Sequence, residues 1–333
     1  MVAGTSGSLN KAGSTKMQNT NTVTAGIDTS KKTLDMAVLG QTSHLRVPNA
    51  PEGWAQIEAA VTSAGASRVG IEATGGYERG VVAYLRAKNI IVDVLQPKQV
   101  KAFAMLHLKR AKTDRIDAAL IAAATQLLAD QSRMASEPRL EAFGDRLTFI
   151  EQIEEDIVRY KTRLEHIADK RLRRSVEGSI KREQMRRLVE IKRLLAELRA
   201  HADLAKRLSL VLSVPGIGDR TALSIVVRMP ELGQVSREEA AALAGLAPFA
   251  QQSGQFQGQM HIGGGRERLR RALFAAALPS AYHWNPALMA LRTRLTGRGK
   301  CHTLTMVACA RKLLTYANAV VARGTPWEDE KPA

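Results

Sequence analysis

Val23-Thr-Ala-Gly-Ile-Asp28 and Val69-Gly-Ile-Glu72 decide the reading of this chain. Each is a short strand-like run, and each ends on a carboxylate. Carboxylates cost free energy where a strand runs into a core, so two such endings need a chemical reason. A second acidic pair, Asp114 and Asp117, stands three apart in Lys112-Thr-Asp-Arg-Ile-Asp117 and opens an apolar stretch that reads as a helix. That spacing puts both acids on one helix face. A shared divalent metal explains the set. Two Mg²⁺ ions about 4 Å apart would activate a nucleophile and stabilise a leaving oxygen in phosphoryl transfer. The plainer reading is helix caps and surface ion pairs; for Asp114 the helix dipole alone favours an acid.

Around these runs, residues 22 to 130 alternate strand and helix patterns. Strands are expected at Val23–Asp28, Thr33–Leu39, Ser43–Val47, Arg68–Ala73 and Ile90–Leu95. Helices are expected from Pro51, from Tyr77, from about Gln99 and from about Asp114. The order β-β-β-α-β-α-β-α is that of an RNase-H-like α/β domain. In such open sheets ligands gather at strand carboxyl ends near the topological switch, where Asp28 and Glu72 both fall. Asp35 and Asp93 are read as solvent-facing strand residues, and Glu78 as a first-turn helix acid.

Beyond residue 137 the pattern turns helical. Ile150, Ile153, Ile157, Tyr160, Leu164 and Ile167 alternate three and four apart, and Leu188, Ile191, Leu195 and Leu198 give a second seam. With Glu177-Gly-Ser179 as the turn, they predict a coiled-coil helical hairpin over 138–208. Residues 159–207 hold 16 Lys or Arg against 7 Asp or Glu, so its outer face suits a nucleic-acid backbone while the seam packs or dimerises. A mainly α unit over 209–325 follows. In it, Ser213-Val-Pro-Gly-Ile-Gly218 has the look of a helix-hairpin-helix whose Gly216 and Gly218 present backbone N–H groups to a phosphate; a purely structural turn is the alternative. Lys109, Arg110 and Lys112 in one loop, and Arg266, Arg268, Arg270 and Arg271 after Gly263-Gly-Gly265, are expected to contact nucleic acid. Arg292, Arg294, Arg298 and Lys300 form a further basic cluster. Tyr282 and Trp284 are assigned to core packing in preference to base stacking.

The 333 residues carry 49 Lys and Arg against 32 Asp and Glu, a net charge of +17. Such an excess points to a polyanionic partner, nucleic acid. No apolar run reaches membrane-spanning length; the best candidate, 118–129, is too short and is interrupted by Gln126. Residues 1–21 lack the apolar region of a signal peptide and read as a disordered arm; 326–333 read as a tail. Cys301 and Cys309 lack metal-site spacing. A reducing bacterial cytoplasm, at the nucleoid, is the expected location. No P-loop pattern is present.

These residues resemble a known family. Gly26-Ile-Asp-Thr-Ser-Lys31, Ile71-Glu-Ala-Thr-Gly-Gly76 and Lys112-Thr-Asp-Arg-Ile-Asp-Ala118 are similar to the settings of the acidic tetrad in DEDD transposases. Ser213–Gly218, then Gly245-Leu-Ala-Pro248, Ser253-Gly254, Gly263 and Leu269-Arg-Arg-Ala-Leu273, resemble the C-terminal transposase domain of the same proteins. The family is the insertion sequence 110 transposases, related to Piv-type DNA invertases, and the resemblance spans 22–325. It implies a RuvC-like domain over 22–137 that binds Mg²⁺ through Asp28, Glu72, Asp114 and Asp117. It implies a C-terminal domain whose Ser253 is the covalent nucleophile. It also implies donor and target DNA as substrates and a structured guide RNA, the bridge RNA. Homodimers and homotetramers would form a composite active site from two protomers.

The expected protein is therefore an RNA-guided DNA recombinase that cleaves and exchanges strands through a phosphoserine. A serine hydroxyl is a poor nucleophile until activated. No Ser-His-Asp order is evident and His261 is the nearest histidine, so tetrad-bound metal would fill the gap. Two rivals stand beside this reading. One is a RuvC-like nuclease or junction resolvase that uses metal-activated water, with Ser253 structural. The other is a non-catalytic nucleic-acid-binding protein.

Overall fold

The computed structural model describes residues 23–106, 114–128, 138–249, 252–253, 256–257 and 260–328. The chain divides into two compact units, Met1–Met134 and Ala135–Ala333. The expected arm, the loop residues Lys109, Arg110 and Lys112, and Gly254 lie outside the described residues.

In the first unit the alternating runs form β1 (Thr24–Thr29), β2 (Thr33–Val38), β3 (His44–Pro48), β4 (Arg68–Glu72) and β5 (Ile91–Leu95). The helices are α1 (Pro51–Ser63), α2 (Arg79–Ala87), α3 (Pro97–Leu106) and α4 (Asp114–Leu128). The sheet order is β3-β2-β1-β4-β5. Pairing is antiparallel from β3 to β1 and parallel from β1 to β5, the RNase-H-like arrangement. Successive side chains of a strand point to opposite faces. On one face Ile27, Leu34, Met36, Val69 and Ile71 pack on Ile57, Val61, Val81, Val82 and Leu85 of α1 and α2. Pro51 starts α1, where its fixed φ suits the first helical position. The other face carries α4, and Leu95, Val100, Leu120, Ile121 and Ala124 close a smaller core there with α3.

Two glycines let α4 seat on the sheet. Gly26 of β1 and Gly70 of β4 are register partners. A Cβ on Gly26 would overlap the Ala118 carbonyl oxygen and the Ala122 nitrogen, and one on Gly70 would overlap the Thr125 hydroxyl. Bare strand backbone is what the helix rests on.

The second unit is built on α5 (Pro138–Glu165), α6 (Lys170–Arg199), α7 (Ala202–Leu212), α8 (Asp219–Arg228) and α9 (Arg237–Ala244). Four two-residue strands follow, β6 (Pro248–Phe249), β7 (Gln252–Ser253), β8 (Phe256–Gln257) and β9 (His261–Ile262). Last come α10 (Glu267–Pro279), α11 (Pro286–Gly297) and α12 (His302–Arg323). Helices α5 and α6 pack on each other, and the chain turns between Glu165 and Lys170, not at Glu177-Gly-Ser179, through which α6 runs unbroken. Asp169 sets the true start: its side chain accepts from the Leu172 N–H at 2.8 Å. That cap stabilises by about 1 kcal/mol, enough to offset the roughly 1 kcal/mol that Gly178 costs inside a helix. Leu188, expected in the seam, is 44% exposed; Ile191, Leu194, Leu195 and Leu198 are the buried set. The expected division at 208/209 falls inside α7. Leu147, Ile150 and Leu198 of the hairpin share one core with Leu208, Ile225, Leu273 and Leu313, which is why nothing divides the chain at that point.

Candidate active site

Asp28 lies two residues beyond Gly26, and Glu72 two beyond Gly70, so both project from the face that carries α4. Because the two glycines are register partners, the two carboxylates stand level on adjacent strands. Asp117 precedes Ala118, the residue whose carbonyl faces Gly26. Asp28, Glu72 and Asp117 are all half-buried. Asp114 opens α4 one turn earlier; its side chain lies outside the described residues. The sequence signal for this arrangement is the repeated glycine-isoleucine-acid, Gly26-Ile-Asp28 and Gly70-Ile-Glu72. Expectation fell on the acids alone and missed the glycines that position them.

These donors are all hard carboxylate oxygens, the chemistry that magnesium takes. Among the described residues no group of three or more His, Cys, Asp or Glu side chains stands close enough to hold an ion by itself. Asp28 also faces Asp35 across β1 and β2, and Asp35 faces Arg46 on β3. Asp35, expected to face solvent, is 3% exposed. Arg46 donates through Nε to Oδ1 and through Nη2 to Oδ2, both at 3.0 Å, and His44 Nε2 lies 2.9 Å from Oδ1. Neighbouring strand β3 supplies the partners that make this burial tolerable. Asp93 is half-buried against Arg68, 2.8 Å away. Glu78 is nearly buried and accepts from the amides of Thr74 and Gly76 at 3.0 and 2.9 Å. It closes the Gly75-Gly76 turn after Glu72 instead of serving only the dipole of α2.

In the second unit Ser253 sits on a nested hairpin arm. Ser253 pairs with Phe256, while His261 pairs with Phe249 on the other ladder, so strand pairing does not set His261 beside it. The Ser253 side chain lies outside the described residues. Glycines fasten the base of the arm: Gly245 ends α9 at φ 71°, and Gly265, at φ 60°, lies so close that a Cβ would overlap the Gly245 backbone. Arg270 donates to the Gly264 carbonyl at 2.6 Å and braces the same base.

The other arginines expected on nucleic acid also have protein partners. Arg266 is bidentate to Glu231 at 2.6 and 3.0 Å. Arg268 meets Glu151 at 2.6 Å, and Arg271 meets Glu155 at 3.4 Å. Glu151 is buried and is bound as well by Arg220 and Arg228, at 3.3 and 2.8 Å. Burial pushes the Arg228 guanidinium below its ordinary value, and the charge of Glu151 opposes that shift. The turn between α7 and α8 is tied down from outside it. Ser280 Oγ donates to the Gly216 carbonyl at 3.0 Å, and Asn285 Nδ2 to the Pro215 carbonyl at 3.0 Å. Gly216, at φ 92°, has no room for a Cβ against that hydroxyl, and Gly218 is the N-cap of α8. Tyr282 and Trp284, expected in the core, are 39% and 65% exposed. Ser280 and Ala281 take the inward positions of the π-turn Ser280–Trp284 and leave the rings outside.

Two family models match this chain. One for IS110-type DEDD proteins, described as "Transposase", matches residues 25–175, and one described as "Transposase IS116/IS110/IS902 family" matches 208–293. These matches make the chain a transposase, an enzyme that recombines DNA. Within that class, the chain belongs to the insertion sequence 110 family. The "Pilin gene-inverting protein" of Moraxella bovis is 27% identical over 316 residues, 91% of this chain and 97% of that protein. Its namesake from Moraxella lacunata is 28% identical over 78% of this chain and 81% of its own length. A solved structure, "T. thermophilus RuvC in complex with Holliday junction substrate", aligns at 18% identity and a TM-score of 0.28 over 33% of this chain and 96% of that one. The strand order, not that alignment, carries the fold assignment. Among the described residues no helix is long and apolar enough to cross a membrane.

Proposed function

We propose that this chain exchanges DNA strands through a phosphoserine on Ser253, in a Mg²⁺-dependent reaction guided by a structured RNA. The observation that supports it most is the paired Gly26–Gly70 register, which sets Asp28 and Glu72 level and seats the helix that carries Asp114 and Asp117. These four carboxylates are the residues that would hold magnesium. Bound there, the metal supplies Lewis-acid stabilisation of charge on the phosphoryl oxygens.

Ser253 Oγ attacks the scissile phosphorus. It loses its proton, the bond to the leaving strand breaks, that strand's oxygen takes up a proton and departs as a hydroxyl, and the cut strand stays attached to the serine. A hydroxyl on the partner strand then attacks the same phosphorus, and Ser253 leaves and regains a proton. One phosphoester replaces another at each step, so no ATP is consumed. The arm braced by Arg270 positions the serine, and two protomers combine their acidic and serine units. The basic hairpin, with 16 Lys or Arg in 159–207, suits the backbone of the guide RNA; Lys109, Arg110 and Lys112 suit the DNA.

Ser253→Ala is the test. Protein–DNA adducts and strand exchange should both vanish while the protein stays folded. Undiminished strand cleavage by the variant would establish the water-using nuclease instead.

A further inference from the structure

From Arg268 to Trp327 the sequence has ten Lys or Arg and no Asp or Glu. Part of that charge is neutralised by carboxylates elsewhere in the unit, as Glu151 does for Arg268. The part on α11, in the turn after it and at Lys312 in the middle of α12 is not. Among the described residues, Arg292, Arg294, Arg298, Lys300 and Lys312 enter no ion pair. A groove of about 310 Å³ runs between α11 and α12, with Ala287, Ala290 and Leu291 as an apolar floor and Arg294 and Lys312 as a cationic rim. That volume is at the lower end for small-ligand sites, on the order of 300 Å³. Trp284 is 65% exposed immediately before the Asn285 cap of α11, the helix that lines the groove. The Arg292 guanidinium lies 4.1 Å over the Tyr282 ring.

An exposed indole, an apolar floor and cations at its edge are the parts that take an unpaired nucleotide: the base stacks and the phosphates meet the cations. Duplex DNA offers no free base face, so this arrangement gains little from it. We propose that the π-turn, α11 and α12 form a binding site for a single-stranded DNA segment. Trp284 stacks a base, Arg294 and Lys312 take its flanking phosphates, and Arg292 holds Tyr282 in place. The site uses none of the acidic residues and needs no metal. It rests on the chain acting on DNA, not on the phosphoserine mechanism.

The test is fluorescence anisotropy of the full chain in EDTA with labelled oligothymidylate, the same strand with abasic positions, a hairpin duplex and oligouridylate. Trp284→Ala should weaken oligothymidylate binding about tenfold, as loss of one base stack does, and leave duplex binding within about twofold. Abasic substitution should erase the difference between variant and parent. Arg294→Gln with Lys312→Gln should lower the salt slope by about 1.4, two single-strand phosphates. Equal losses on single strand and duplex would overturn the proposal. So would tighter Trp284-dependent binding of oligouridylate, which would assign the site to RNA. A shift of Trp284→Ala from dimer to monomer at unchanged DNA affinity would assign the face to self-association. Because metal is absent throughout, the result is independent of Ser253 and the tetrad.

Discussion

In the helical unit, Glu151 is surrounded by three guanidiniums, those of Arg220, Arg228 and Arg268. In the sheet unit, Asp28 stands opposite Asp35, level with Glu72, and under the helix that carries Asp117. One cluster gathers opposite charges and the other gathers like charges. The first is a lock: a buried carboxylate fully compensated by cations from α8 and α10 fixes how those helices meet α5. The second sets carboxylates close together on one face of the sheet. The proposed magnesium site accounts for that row. Asp35 lies between these cases, for Arg46 and His44 already answer its charge.

The sharpest break of the comparison is at Glu151. Removing Glu151 takes the carboxylate from Arg228 and Arg268, while Arg220 keeps Glu154; breaking a buried charge cluster costs about 3–5 kcal/mol. Glu151→Ala should therefore lose that much stability by denaturant titration. A loss below about 1 kcal/mol would mean that surface pairing is all Glu151 provides. Next in size is Gly26→Ala. The added Cβ meets backbone atoms of α4, which cannot swing away as a side chain would, and overpacking of this kind costs about 1–3 kcal/mol. The same variant should weaken Mg²⁺ binding, since it moves Asp117 relative to Asp28. Unchanged metal affinity would separate the docking of α4 from the site.

Much of the sheet unit was legible because period-2 alternation, Pro51 and the Gly75-Gly76 break are local signals, and their order specifies the topology. The acids were legible because a carboxylate ending an apolar strand is out of place. Cross-strand and tertiary partners were not. Alternation puts Asp35 on a face but says nothing of Arg46 and His44 on β3. A run of arginines from 266 to 271 reads as a nucleic-acid contact, yet Glu231, Glu151 and Glu155 meet it from distant positions. Glu177-Gly-Ser179 looks like a break in the sequence, but the Asp169 cap offsets the cost of Gly178 and packing on α5 keeps α6 continuous through it. Trp284 illustrates the same limit, since hydrophobicity suggests burial and only the π-turn shows which side faces out.

The account depends on the like-charge row being a cation site. The direct measurement is the thermal midpoint of the chain and of Asp28→Asn as Mg²⁺ is titrated. The parent should rise saturably with Mg²⁺ and the variant should not. Equal shifts in both proteins would contradict the account.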